Sequence, residues 1–457
     1  MKSTDRREFL KKSTASAAGL ILSGPIVKGG FAKQSPNETI NVAVVGIRSR
    51  GGVGYGKRSH YGNYCGMPNV RVTALCDVDE RLFPEAIRDV KEWGGNTPKT
   101  YVDFRKMLED NDIDVVSIAT PDHWHALQAI WACQAGKDVY IEKPISYNID
   151  EGRKMVQAAR KYNRVVQVGI QTRSSKITNE AIKFVREGNL GDIYLGRGIV
   201  YGHRDNIGHV KDSPIPEGVH WDRFLGPAPY RPFNENRFHY KWHWFWDTST
   251  TEFGNNGVHC MDKVRWGMNK SVHPEKIQCT GGFYVWDSDQ EIPNLQIATF
   301  EYADGSMMEL EVRSLYTNSE FGSKGGSFFY GSKGWMHLGG EGFKTFFGTK
   351  DEPGPSMSNT DLAVVEADNK TSVLMKGIDP HFVNFIDCVR SRRWQDLNSD
   401  ILEGHMSTSM MHLGNIAYRT GRKLTFNSHS ERFIDDDDAN SYLTRDYRHP
   451  YILPDEV

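Results

Sequence analysis

From Ile40 onward the apolar positions fall into short unbroken runs separated by amphipathic stretches. "INVAVVGI" (Ile40–Ile47) is nearly continuous, the pattern of a strand covered on both faces. "VRVTALCDVD" (Val70–Asp79), "IDVVSIATP" (Ile113–Pro121), "DVYIEKP" and "RVVQVGI" read the same way. The stretches between them have a helical period. "ERLFPEAIRDVKEW" is one such helix. The helix after Ile113–Pro121 is expected to open with Thr120 as its cap and Pro121 at its first position, with Trp124, Leu127, Gln128 and Trp131 on one face. Asn148 and Glu151 have the spacing of a reciprocal cap at the start of "IDEGRKMVQAARKY". Strands alternating with helices predict a parallel sheet with helices on both sides.

From about Ile193 the rhythm changes. "IYLGRGIVYG", "KIQCTGGFYVW", "LQIATFEYADGSMMELEVRSLY" and "GSFFYGSKGWMHLGG" are strand-like, and Asp304-Gly305 marks a hairpin turn. These predict a second, mostly antiparallel domain, followed by helical "HFVNFIDCVRSRR" and "DILEGHMSTSMMHLGNIAYRTG". The run Asp435–Asp438 reads as a solvated loop. The expected divisions are residues 1–32, 38–168, 169–425 and a tail, 426–457.

Composition adds mainly exclusions. Lys plus Arg (56) nearly balance Asp plus Glu (58), so no overall field draws nucleic acid or a membrane surface. The six cysteines show no C-x-x-C spacing and read as buried small residues. No histidines share zinc-like spacing on one element, and no metal is expected. The first 32 residues stand apart: Arg6-Arg7 precede Phe9-Leu10-Lys11, a short apolar run and a small-residue end near Ala32. This resembles a twin-arginine export signal cleaved near Ala32, which places the mature protein in the periplasm or outside the cytoplasm, without a membrane anchor.

The candidate chemistry lies at strand ends. After the first strand comes "GIRSRGG", in which Gly46 and Gly51 hold the outer positions of G-x-G-x-x-G and Arg48 replaces the middle glycine. Such a turn binds a dinucleotide pyrophosphate. Asp77 ends the second strand, where a carboxylate accepts hydrogen bonds from ribose hydroxyls. It lies 77 − 46 = 31 positions after Gly46 because of the insertion "GVGYGKRSHYGNYCGMPN". Asp77 favours NAD, since a 2′-phosphate would be repelled; Arg48 and Arg50 leave NADP open. The aromatic stretch Phe238–Phe253 offers faces that stack on sugar rings, or ordinary packing.

"VAVVGIRSRG", "ALCDVD", "SIATPDHWHALQAIWACQAGKDVYIEKPIS" and "FGNNGVHCMD" occur in an order that resembles the glucose–fructose oxidoreductase / inositol dehydrogenase / rhizopine-catabolism (Gfo/Idh/MocA) family, over about residues 40 to 425. The resemblance implies an α/β chain: a Rossmann NAD-binding domain, then a substrate-binding and oligomerisation domain built on a large open, mostly antiparallel sheet. It implies NAD(P) chemistry on a sugar, glycoside or cyclitol, and a homo-oligomer, dimer or tetramer. It places Lys143 of Glu-Lys-Pro beside the nicotinamide, where an ammonium stabilises developing alkoxide and relays a proton. His259 is the second catalytic candidate. Family members often carry aspartate four residues before it; here stands Asn255, which cannot be a base, so proton abstraction falls to His259 or Lys143. His125 is expected at cofactor ribose or nicotinamide. The candidate cofactor contacts are Gly46, Ile47, Arg48, Gly51, Asp77, Thr120, Pro121, His125, Glu142, Lys143 and Gln171. The candidate substrate contacts are Lys143, Arg173, Tyr201, Trp246, Asn255 and His259.

Export carries a consequence. No free nicotinamide pool recycles the cofactor outside the cytoplasm, so a tightly held NAD must return to its starting state in each cycle. Ping-pong transfer between two sugars does this. So does transient oxidation of a glycoside with elimination, hydration and re-reduction, the outcome of which is net hydrolysis. The oxidoreductase is the reading preferred here, because the histidine setting "NNGVHCMD" differs from that of NAD-dependent glycosidases. A non-catalytic sugar or cofactor sensor is a third reading, against which intact Lys143 and His259 speak.

Overall fold

The computed structural model describes residues 38–359 and 377–457, so the segment 1–32 expected to be an export signal lies outside the described residues. The apolar runs form a six-stranded, all-parallel sheet of β1 (Ile40–Val45), β2 (Val70–Cys76), β3 (Lys99–Tyr101), β4 (Val115–Ile118), β5 (Asp138–Ile141) and β6 (Val166–Val168). Its order is β3-β2-β1-β4-β5-β6, the dinucleotide-fold order, which reverses direction between β1 and β4. Every residue of β4 and β5 is buried, which accounts for the absence of polar alternation in their sequences.

Two boundaries differ from expectation. Helix Asp122–Gln134 is capped by Pro121, not Thr120. The Thr120 hydroxyl instead donates to Gln128 Oε1 (2.7 Å), and its carbonyl faces His125 Nε2 (2.8 Å), so neither serves the helix end. That helix is also buried nearly all round rather than along one stripe. The expected cap at Asn148 is present: its side chain accepts from the Glu151 N–H at 2.9 Å. The insertion before β2 folds into a short helix, His60–Cys65, capped by Ser59.

The second sheet has ten strands: β7 (Ile193–Val200), β8 (Lys276–Gly282), β9 (Leu295–Glu301), β10 (Met307–Arg313), β11 (Gly325–Gly331), β12 (Gly334–Gly339), β13 (Gly342–Phe347), β14 (Glu352–Ser358), β15 (Leu424–Asn427) and β16 (Arg432–Phe433). Their order is β14-β13-β12-β11-β7-β10-β9-β8-β15-β16, and only β7 and β10 pair in parallel. The Asp304-Gly305 hairpin is formed, with Gly305 at φ +82°. Helices Val258–Gly267 and Ile401–Thr420 bury one face of this sheet through Met261, Val264, Met410, Met411, Leu413 and Ile416, which pack with Phe300 and Leu310. The other face carries an ionic lattice in which Arg197 reaches Glu309, Glu311 and Glu320. Asp436 caps the short helix Asp437–Ser441 and pairs, with Asp438, to Arg422, so the acidic run is anchored. All six cysteines are free; five are buried and Cys65 is partly so. No described helix is long and apolar enough to cross a membrane.

Candidate active site

The C-terminal ends of β1, β2, β4 and β5 open onto one cavity of about 480 Å³. The parallel sheet puts Gly46, Asp77, Thr120 and Lys143 there because each follows directly on a buried strand. Gly46 needs its lack of a side chain: φ is +75°, and a Cβ would stand 2.7 Å from the Ala119 carbonyl oxygen. A Cβ on Gly51 would meet the Gly46 carbonyl oxygen at 1.8 Å. The turn is thus folded tightly on itself, with Arg48 on the cavity wall.

Asp77 accepts hydrogen bonds from the Ile47 N–H (2.8 Å, Oδ2) and the Asp79 N–H (2.9 Å, Oδ1). Burial nevertheless pushes its carboxyl up to about 6, outweighing both bonds. Each oxygen keeps a lone pair for a further donor.

Glu142 is the hub of the far end. Its Oε1 accepts from Arg50 Nε (3.0 Å) and Gln171 Nε2 (3.2 Å) and faces His60 Nε2 at 3.1 Å; the His60 ring is in turn held by Ser117 Oγ (2.9 Å at Nδ1). Burial raises the Glu142 carboxyl, but Arg50 and His60 overcome it and hold the group well below the usual carboxylate range. A fixed negative charge therefore stands next to Lys143 in the chain. Lys143 Nζ donates to the Asn255 carbonyl at 2.8 Å and to Asn255 Oδ1 at 3.3 Å. Burial lowers its pKa against the pull of Glu142.

Asn255 and His259 do not lie on one regular helix. Phe253–Gly257 forms a single π-helical turn that leads into helix Val258–Gly267. Gly254 and Gly257 permit it: a Cβ on the first would sit 1.9 Å from Thr250 Oγ1, and on the second 2.7 Å from Leu310 Cδ2. Asn255 is inside this turn rather than capping a helix, and its side-chain N–H₂ donates to Glu252 Oε1 at 3.1 Å. His259 lines the cavity, with Nδ1 buried and without a hydrogen-bond partner among the described residues. Burial, reinforced by Lys143, lowers its pKa to about 3, so the ring is neutral and a weak base. His125 has its ring nitrogens 2.7 Å from the Pro144 carbonyl oxygen and 2.8 Å from that of Thr120, so it offers the cavity a ring edge.

Gly46, Arg48, Asp77, Thr120, Pro121, His125, Glu142, Lys143, Gln171, Asn255 and His259 thus line one cavity. Ile47 and Gly51 stand behind that wall. Three expected substrate contacts lie elsewhere. Arg173 is spent on a buried double ion pair with Asp262 (2.8 Å) and Glu403 (2.9 Å). Tyr201, past the end of β7, donates to Glu311 and Glu320 in the lattice on the other sheet face. Trp246 lines a second, separate cavity.

Other walls carry residues beyond the expected contacts: Asp122 and Tyr451, which no sequence signal marked, and part of the aromatic stretch expected to stack on sugar rings or pack. Asp122 is buried at the first helical turn, where Oδ2 accepts from the Thr250 hydroxyl (2.7 Å); burial pushes its carboxyl up to about 7. Phe238, His239, Tyr240, Trp242 and His243 come from the aromatic stretch, and Tyr451 arrives from the tail to pack edge-on against Trp124. His273, His405 and Glu431 converge away from this cavity in a metal-like group, but Arg153 occupies both Glu431 oxygens (2.8 and 2.5 Å) and supplies the positive charge there.

Residues 40–170 match the Gfo/Idh/MocA model described as oxidoreductase family, NAD-binding Rossmann fold, and residues 203–338 and 361–453 match that family's C-terminal alpha/beta domain. Curated glycosyl hydrolase family 109 proteins of Shewanella, among them the alpha-N-acetylgalactosaminidase of Shewanella oneidensis, are 25% identical over 209 residues, 43% of this chain and 46% of theirs. The chain thus matches about half the length of these curated relatives. The WlbA dehydrogenase of Bordetella pertussis, solved with NADH and UDP-GlcNAcA, superposes with TM-score 0.60 at 19% identity, over 85% of this chain and 99% of that one. The aldose-aldose oxidoreductase of Caulobacter crescentus, complexed with glycerol, gives 0.60 at 17%, over 85% and 100%. These two likenesses carry the fold.

Proposed function

The chain belongs to the Gfo/Idh/MocA oxidoreductase family, and we propose that it oxidises a secondary alcohol of a sugar, glycoside or cyclitol with NAD held in the main cavity and recycled within each turnover. The observation that carries this reading is the half-buried Lys143 amine in the same cavity as the Gly46 turn, the Asp77 carboxylate and the His259 ring. The residues fit a dinucleotide: a tight glycine turn for the pyrophosphate, and a carboxylate with free lone pairs for ribose hydroxyls. When bound there, NAD supplies the hydride acceptor.

The chain's own residues handle the proton. Oxidising a secondary alcohol removes a hydride from carbon and a proton from oxygen. Burial lowers the pKa of Lys143 and so raises the share of neutral amine above that of a free lysine, which suits Lys143 to take the hydroxyl proton. His259, neutral and on the cavity wall, holds the same hydroxyl by hydrogen bond. Asn255 fixes the amine through two oxygens rather than acting as a base. Trp242 and Tyr240 offer faces for the sugar ring.

A second reading is a redox-neutral glycoside hydrolase that oxidises, eliminates, hydrates and re-reduces. The likeness to family 109 proteins favours it. One experiment separates the two: a glycoside and polyol screen that follows bound NADH absorbance and aglycone release together. Aglycone release without net NADH supports the hydrolase; reduction of a second carbonyl compound supports the oxidoreductase; neither signal with any sugar sinks both.

The proposal extends to setting and assembly. Arg6-Arg7 support twin-arginine export, tested by Arg6→Lys with Arg7→Lys, which should retain the precursor in the cytoplasm. The open face of the ten-stranded sheet, with Tyr194, Tyr316 and Phe321 exposed, supports a homo-oligomer, tested by light scattering of the purified protein.

A further inference from the structure

A second cavity of about 200 Å³ shares no lining residue with the first. It sits where the chain before helix Ile149–Lys161, the end of helix Ile401–Thr420 and the tail meet, and two arginines form part of its wall. Arg419 is stacked between Trp246 (4.9 Å to the ring centroid) and Tyr442 (4.4 Å). Arg445 is stacked on Tyr147 (4.3 Å), with Tyr447 at 5.9 Å. Stacking fixes each guanidinium plane and leaves its N–H edge for other partners.

Those edges are underused. Arg445 donates only to the carbonyl oxygens of Asp247 (3.2 Å) and Pro227 (3.3 Å), and Arg419 makes no hydrogen bond to the described residues. Neither has a carboxylate at ion-pairing distance among the described residues, unlike Arg173 or Arg197. Two acids that act on this region, Asp247 and Glu151, are committed elsewhere. The Asp247 carboxylate pairs with Arg231 at 2.5 Å, and Glu151 accepts from the Tyr147 N–H (2.8 Å) and the Tyr447 hydroxyl (3.0 Å). Burial also pushes the Glu151 carboxyl up to about 7 against the pull of Arg445, which weakens its hold as a counter-charge. Two positive charges, Arg419 exposed and Arg445 half-buried, therefore share one concave, aromatic-walled space with no carboxylate at ion-pairing distance among the described residues.

We propose that this second cavity is an anion site that takes an oxyanion, whether free phosphate or sulfate or the carboxylate of a sugar acid, between the edges of Arg419 and Arg445. Rigid guanidinium planes match such groups through paired N–H donors. Trp246, Tyr147 and Tyr442 provide faces on which a ring attached to the acid packs. The inference does not rest on the reading of the main cavity.

The test is calorimetric titration of the full chain, saturated with NAD so that the main cavity cannot take phosphate. Inorganic phosphate, sulfate and glucuronate are the probes, and glucose and chloride at matched ionic strength are the controls. Saturable binding of at least one oxyanion and of neither control is expected, weakened about tenfold or more by Arg419→Gln, the scale of a lost charged hydrogen bond. Arg419 stacks on Trp246 and Tyr442 but makes no hydrogen bond or ion pair among the described residues, so this variant should fold; Arg445→Gln, which also loses two backbone contacts, should act in the same direction. Tighter glucuronate than phosphate identifies a sugar acid as the source, and the reverse identifies the free anion. Absence of saturable binding by all three anions, or an unchanged affinity in Arg419→Gln, overturns the proposal.

Discussion

The two walls of the main cavity are built by opposite means. One is the C-terminal edge of the parallel sheet, where Gly46, Asp77, Thr120 and Lys143 each follow a buried strand. The other is the segment 201–250, whose only α-helix is Trp221–Leu225. That second wall hangs from backbone hydrogen bonds to distant partners: the His220 N–H to the Val78 carbonyl (2.8 Å), and the Glu80 N–H to the Gly218 carbonyl (2.9 Å). Topology places the first wall, whereas individual polar contacts place the second. Chemistry and cofactor affinity should therefore fail when the first wall is altered, and only the rate of ligand release should rise when the second is.

The largest effect is expected at Lys143. Lys143→Ala should still fold and bind NAD, and lose about 10²–10³-fold in hydride transfer, the scale of one aimed donor removed from a reacting oxygen. Stopped-flow measurement of bound NADH formation on a reactive sugar reads this, and a wild-type rate would remove Lys143 from the mechanism. His259→Ala should cost less, because a ring with its pKa lowered to about 3 holds a hydroxyl better than it takes a proton. The pH profile sharpens the point. Burial lowers the Lys143 pKa, so the neutral amine gains population at lower pH than for a free lysine. The rate of NADH formation should rise with pH through an inflection below the ordinary lysine value, and Lys143→Ala should lose that inflection. An unchanged profile in the variant would assign the titration to another group.

Next comes Asp77. Asp77→Ala should weaken NAD by about 1–3 kcal/mol, the scale of lost hydrogen bonds to a charged group. Titration of cofactor-stripped protein tests it; an affinity equal to wild type would separate Asp77 from the ribose. Part of that loss belongs to the turn itself, since Asp77 also holds the Ile47 N–H. A melting temperature measured without cofactor isolates that share.

The same asymmetry governs what the sequence disclosed. Apolar runs fix strands, the strand order fixes an edge, and residues just after each run fall on it; Lys143 and Asp77 were legible for that reason. His60 was not, although it touches Glu142, because it lies in an insertion whose helix packs by tertiary contact alone. Arg173 and Tyr201 were expected at the substrate, yet one is neutralised by Asp262 and the other faces a glutamate lattice on the far side of the sheet. A charged or phenolic side chain near a strand end reads alike in either setting, because its partners are some 90 or more positions away. Strands β13 to β16 went unread because "EPGPSMS" lacks strand composition and β16 has two residues. The site was legible as far as the backbone places it, and not where a side chain's partner decides.

The smallest effect, at Asp79, tests the second wall directly. Asp79 lies at the end of the second strand's turn, and its carboxylate is shared. Arg81 Nε reaches Oδ1 at 2.7 Å, and His239 Nε2 lies 2.8 Å from Oδ2. Arg81 is local, whereas His239 belongs to segment 201–250 and lines the cavity. Burial raises the Asp79 carboxyl, but Arg81 and His239 overcome it and hold the group below the usual range, so the charge is present at neutral pH. Asp79→Asn keeps the shape and removes the charge that draws His239 to the sheet edge. If segment 201–250 retains the dinucleotide, NAD should leave faster by about threefold to tenfold, the range between an exposed pair and a partly buried one. Hydride transfer in the saturated enzyme should be unchanged, because Lys143 and Asn255 are untouched. Arg81→Gln is the control: it removes the local partner, leaves His239 in place and should barely change release. Release is read by chasing bound NADH fluorescence with excess unlabelled NAD. Equal off-rates in Asp79→Asn and wild type would show that the second wall shapes the cavity without holding what is in it.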